Sequence, residues 1–191
     1  MTIVFVHGVP VTSAVWTPLI SQLPKPQQQD VVRLSPPGFG AALPAGFGAR
    51  HEIAKTWQTP GDGERHIEET FSGDAAERTA RMISWGIPEP AAGQVALGQG
   101  PEMGRAILSL YRSVPENMLA ERGRNLAAAA ARPGLVPVAT DDLTAGSVAL
   151  RHRAAQRAGA RTVDLDGLGH WWMLQDPART ARMLSDFWNS L

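Results

Sequence analysis

The chain has 191 residues, 18 basic and 18 acidic side chains, and no formal net charge. Hydrophobic residues make up 43% and charged residues 19%, the balance of a globular chain long enough to bury a core. Neutrality argues against nucleic acid or an anionic membrane surface as a partner held by bulk charge, and the absence of cysteine excludes disulfides, thiolate nucleophiles and thiolate metal sites.

No apolar run approaches the roughly eighteen residues of a membrane span. The opening segment Met1-Thr2-Ile3-Val4-Phe5-Val6-His7 has no basic region and too short an apolar run for a signal peptide. A cytoplasmic location is therefore expected.

Ile3-Val4-Phe5-Val6 is a continuous β-branched and aromatic run, the pattern of a strand buried on both faces. It ends in His7-Gly8-Val9-Pro10. Thr12 to Ile20 then reads as a capped helix with Val15, Trp16, Leu19 and Ile20 on its buried side, stopped by Pro24 and Pro26. Asp30 to Leu34 is the next strand, closed by Ser35-Pro36-Pro37-Gly38-Phe39-Gly40. A strand, a helix and a strand at this spacing predict a βαβ unit with a parallel pair.

Between Ala41 and Pro133 no segment reads as a strand. Helices are expected over 52–58, over 74–85 with Asp74 as cap, from Pro101 with Met103, Ile107, Leu110 and Tyr111 on one face, and over 115–131. Thr59-Pro60-Gly61-Asp62-Gly63 reads as a loop, and Gly98-Gln99-Gly100 as a helix stop. Leu135 to Thr140 is a third strand, although Pro137 within it lacks an N–H and weakens pairing on one side. Ser147 to Ala158 is a helix ended by Gly159, and Thr162 to Leu165 is a fourth strand. Asp176-Pro177 caps a last helix, with Ala181, Leu184, Trp188 and Leu191 as its core face.

Strands of a parallel sheet present ligand-binding groups at their carboxyl ends. The third strand is followed by Asp141-Asp142, and the fourth by Gly167-Leu168-Gly169-His170-Trp171-Trp172. A carboxylate beside a histidine fixes the imidazole tautomer and stabilises its charged form. Asp142, one step further past the strand than Asp141, is the preferred partner of His170, and the plain alternative is a turn histidine packed on Trp171. After the first strand, Gly8 permits a sharp turn that aims the Val9 N–H as an oxyanion donor. Trp57 and Trp171 are the tryptophans expected to touch a small-molecule substrate or ligand. His51, His66 and His152 read as solvated, and Arg151, Arg153, Arg157 and Arg161 as a solvent face. No metal-binding or nucleotide-binding pattern occurs, so neither metal nor cofactor is expected.

Together these segments resemble the α/β-hydrolase family. Ile3 to Pro10 looks like the family's third strand and oxyanion loop. Ser35-Pro36-Pro37-Gly38-Phe39-Gly40 looks like the turn after the next strand, with serine where aspartate is usual. Gly167 to Trp171 looks like the catalytic-histidine loop, and Asp142 falls at the acid position. The resemblance covers roughly residues 1–50 and 130–191. It implies an α/β fold: a truncated hydrolase-like parallel sheet with a helical cap, in which residues 1–50 and 133–191 form the core and 51–132 the cap-like insertion of one structural unit. It further implies a hydrolase of an ester, epoxide or carbon–halogen bond, with His170 as base and Asp142 as orienter. The family's nucleophile elbow, G-x-S-x-G or G-x-D-x-x-G after a strand, does not occur. The alternatives are a non-catalytic relic or small-molecule-binding module, and a nucleophile-independent His/Asp lyase or oxygenase. Without the elbow strand the sheet has a gap, toward which the weakened side of Pro137 is expected to face and which a homo-oligomer would cover.

Overall fold

A computed structural model describes residues 2–7, 11–35, 55–89, 91–113 and 131–191. Gly8, Val9, His51 and the helix expected over 115–131 lie outside these residues. The chain divides into two units, one of Met1–Thr17 with Asp30–Leu119, the other of Pro18–Gln29 with Ala120–Leu191. This division places the first strand pair with the helices that follow it, and residues 18–29 with the carboxyl-terminal third. Among the described residues secondary structure is mixed, with many helices and two two-stranded parallel sheets.

In the first unit β1 (Ile3–Val6) pairs in parallel with β2 (Val31–Leu34), Ile3 opposite Val31 and Val6 opposite Leu34. Ile3 and Phe5 are buried, but Val4, Val6, Val32 and Leu34 share the other face and are exposed. The run of apolar residues thus corresponds to burial on one face only. A run this short reads the same either way, because alternation is visible only where the outer face is polar. Phe5 packs on Trp16 with ring centroids 5.2 Å apart. Thr12 caps a 3₁₀ turn over Ser13–Trp16 that runs into α1 (Thr17–Gln22). Pro26, in the stretch that belongs to the second unit, does not stop a helix; it occupies the first turn of a short α2 (Lys25–Gln29), where a missing N–H costs little.

Among the described residues, the helices of the first unit are α3 (Lys55–Gln58), α4 (Asp62–Phe71), α5 (Ala75–Ser84), α6 (Ala91–Gly98) and α7 (Pro101–Arg112). The α4 helix begins inside the segment read as a loop. Gly61, at φ 86°, turns the chain, and its N–H donates to Glu64 Oε2 at 2.8 Å, so the turn residues are the helix's own cap. The α5 helix has a reciprocal cap: the Asp74 carboxylate accepts from the Ala76 and Glu77 N–H groups, and Glu77 accepts from the Asp74 N–H. Met103, Ala106, Ile107 and Tyr111 of α7 are buried, with Trp57, Ile67, Phe71 and Leu110 packed against them. Arg112 closes the group from outside. Its guanidinium grips both oxygens of Glu64 at 2.6 and 2.8 Å and donates to the Trp57 and Thr59 carbonyls. The Arg112 bond, helped by backbone donors, holds the Glu64 carboxyl at about 2.

In the second unit β3 (Leu135–Ala139) pairs in parallel with β4 (Arg161–Leu165), Leu135 opposite Arg161 and Ala139 opposite Leu165. Between them runs α8 (Val148–Arg157), capped by Ser147. Arg151 is not on a solvent face: its guanidinium donates to the Ala139 and Asp142 carbonyls at 2.6 and 3.2 Å. His152 is not merely solvated either, since its Nε2 lies 3.0 Å from Asp164 Oδ1. After α9 (Trp172–Gln175) comes α10 (Pro177–Asn189), where Asp176 accepts from the Arg179 N–H. Its buried positions are Thr180, Ala181, Met183 and Ser185, whereas Leu191 lies past the helix end and is 63% exposed. Ala181 is buried as expected and Leu184 and Trp188 are half-buried; the face also takes in two hydroxyls, which are satisfied inside, Thr180 donating to the Asp176 carbonyl and Ser185 to Gln27 Oε1. Among the described residues no helix is long and apolar enough to cross a membrane.

The α7 packing yields a measurable expectation. Ile107 is fully buried, so Ile107→Ala should lower stability by roughly 2–5 kcal/mol through lost transfer energy and an unfilled cavity. Equilibrium urea denaturation followed by tryptophan fluorescence measures it; a loss below about 1 kcal/mol would mean that this cluster is not a packed core.

Candidate functional site

β3 and β4 end side by side, and the segments leaving them are tied together. The Asp141 N–H donates to the Leu168 carbonyl at 3.0 Å, and the Gly167 N–H to Thr140 Oγ1 at 2.9 Å. Gly167 has φ 76°, a conformation that a side chain would strain. Gly169 serves differently: its N–H donates to Gln175 Oε1 at 2.7 Å, and a Cβ there would meet that amide at 3.4 Å. These ties bring His170 beside the turn after β3.

The carboxylate that meets the ring is that of Asp142, with Oδ2 3.1 Å from His170 Nδ1, while Asp141 is exposed and its Oδ1 lies 3.2 Å from Thr140 Oγ1. Asp142 is 7% exposed. Its other oxygen accepts the Thr144 N–H at 2.8 Å, the Thr144 hydroxyl at 2.7 Å and the Ala145 N–H at 3.3 Å. Burial pushes this carboxyl up, but the Thr144 donors and His170 outweigh burial and hold it at about 2.

Thr144 completes the arrangement. Its Oγ1 also lies 2.9 Å from His170 Nδ1. The hydroxyl has one hydrogen, and it is spent on Asp142, so toward the ring the oxygen acts as an acceptor. Nδ1 thus faces two acceptors, Asp142 Oδ2 and Thr144 Oγ1, and carries the proton. Nε2 is left with its lone pair and, among the described residues, no partner. The His170 side chain is 50% exposed. A base oriented through Nδ1, with Nε2 available, is suited to take a proton from water or from a substrate.

Thr144 escaped the sequence reading. The signal was present in Asp142-Leu143-Thr144, where a carboxylate receives the backbone N–H and hydroxyl two residues on. Trp171 is nearly buried and meets the His170 ring edge-on, with centroids 5.1 Å apart and planes at 87°. It packs against the histidine and has little surface left for a ligand. Trp57 belongs to the first unit, where it packs on Tyr111 at 4.6 Å and His66 at 5.8 Å; His66 is accordingly half-buried rather than solvated. Gly8 and Val9 lie outside the described residues.

A second histidine contact stands at the carboxyl ends of β1 and β2. His7 Nε2 lies 3.0 Å from Ser35 Oγ, which also accepts the Ser13 N–H at 3.3 Å. With His7 buried, this contact ties two strand ends to the start of a helix. No group of three histidine or acidic side chains able to hold a metal occurs among the described residues. No family model matches the chain, and no curated protein matches it either.

The Asp142 carboxyl lies below its ordinary value of 3.8, so its contribution to stability is present above about pH 4 and is lost as pH falls toward 2. Over that window the loss amounts to at most about 2 kcal/mol. Thr144→Val removes the hydroxyl and keeps the shape. It should raise the Asp142 pKa by carbon-detected NMR titration and flatten the acid limb of the stability profile. An unchanged Asp142 titration would show that Thr144 does not stabilise the carboxylate.

Proposed function

We propose that this chain is an α/β-hydrolase-type protein whose His170 is a general base held by Asp142, acting on an ester, epoxide or carbon–halogen bond of a small molecule. The observation that carries the reading is the Asp142–Thr144–His170 contact, which holds the proton on Nδ1 and leaves Nε2 as the basic atom. Because the sequence lacks a nucleophile elbow, water is the nucleophile in this scheme. For an ester, the water oxygen attacks the carbonyl carbon while Nε2 takes one water proton. The resulting imidazolium is stabilised by the ionised Asp142, and Nε2 then returns its proton to the departing alkoxide. No cofactor takes part. A base that activates water without a covalent intermediate retains only part of a triad's acceleration, so turnover is slow.

The free Nε2 also favours a second reading, in which the base takes a proton from the substrate itself, as in nucleophile-independent lyases and oxygenases. A panel of short-chain p-nitrophenyl esters and activated C–H acids separates the readings. Hydrolysis by the wild type should fall by roughly 100-fold or more in His170→Ala. Equal background ester rates in both proteins would sink the hydrolase reading and leave a binding module. Conversion of a C–H acid alone, lost in His170→Ala, would put the second reading in its place.

A further inference from the structure

Along β4 and α10, lined by none of the Asp142–Thr144–His170 group, lies a cavity of about 380 Å³. It runs from Leu135 and Arg161, the first residues of the two strands, toward Arg179, and Val163, Met183 and Phe187 give it an apolar wall. Arg161, Arg179 and Arg182 also line it, against one acidic residue, Asp186. Three positive charges and one negative thus share a small hollow in a chain whose total charge is zero.

Two of these arginines are held without being neutralised. The Arg161 guanidinium donates to Ser190 Oγ at 2.5 Å and lies over the Phe187 ring, 4.8 Å from its centroid. Arg179 donates to the carbonyls of Asp166 and Asp164 at 3.0 and 3.3 Å. These are neutral acceptors, which orient a guanidinium and leave its charge intact. Arg182 is exposed and makes no hydrogen bond or ion pair with any described residue, and Asp186 makes no ion pair with the three.

Charges gathered this way repel one another, and the arrangement is relieved by an anion. Guanidinium forks match carboxylate and phosphate oxygens, while the apolar wall favours a ligand with a hydrocarbon part. The volume falls in the lower range of small-molecule sites, roughly 300–1,000 Å³. The geometry points to a binding site for an amphiphilic organic anion, a phosphate or carboxylate on a short apolar chain, separate from the Asp142–His170 pair. Arg161 and Arg179 hold fixed charges at its two ends, and Arg182, one helical turn from Arg179, swings onto the headgroup.

Octyl phosphate, below its micelle concentration, is the probe, with calorimetric titration of the full chain as the measurement. Binding should be at least about ten-fold tighter than that of inorganic phosphate, because the alkyl chain buries against the wall. Arg182→Ala should weaken it by about five-fold and Asp186→Asn tighten it by about three-fold. Both positions are on the surface, and circular dichroism checks that both variants fold. His170→Ala should leave the affinity unchanged, which separates this site from the hydrolytic reading. No binding at millimolar octyl phosphate, equal affinity in wild type and Arg182→Ala, or inorganic phosphate binding as tightly as the ester would each overturn the proposal. Co-sedimentation with phosphatidic acid vesicles, in preference to octyl phosphate, would overturn the assignment to a soluble ligand.

Discussion

The second unit depends on keeping one buried carboxylate ionised. An ionised aspartate with 7% exposure is costly unless its lone pairs are filled. Asp142 meets that condition through neighbours in its own turn and one group from across the sheet. The turn after β3 is therefore shaped around the charge, and Arg151 extends the same logic by clasping the carbonyls of Ala139 and Asp142 from α8. Asp142 is the buried centre of this network, while Thr144 and His170 stand at the surface. A buried carboxylate whose oxygens are filled, set beside a histidine that reaches the surface, is an arrangement suited to proton transfer.

Much of this was legible in the chain. The four strands stand out because each is a short branched or apolar run bounded by turn chemistry. Asp74, Ser147 and Asp176 announce helix starts because their side chains satisfy N–H groups that the helix cannot. The approach of Asp142 to His170 follows from two parallel neighbours ending in polar tips at the same level.

What was not legible has identifiable causes. The α6 helix is rich in alanine and glycine, and small residues bury with no apolar stripe to reveal them. The start of α4 was hidden because proline and glycine residues mark loops and helix starts alike, and only Glu64 reaching back to Gly61 separates the two. The buried face of α10 contains Thr180 and Ser185, which hydrophobic periodicity scores as outward. Thr144 has the same difficulty: a hydroxyl's role depends on which acceptor takes its single hydrogen, and that is set in three dimensions.

The exposed face of β1 and β2 has a practical side. Val4, Val6, Val32 and Leu34 present a contiguous branched surface, and the outer margins of both strands carry no further strand among the described residues. Such margins are templates for edge-to-edge stacking of identical molecules. A protein with no formal net charge at neutral pH has no long-range repulsion to keep its copies apart. Its colloidal behaviour is thus governed by the solvent: it stays dispersed most readily in buffers well to one side of neutrality, and clumps first near pH 7 at high concentration.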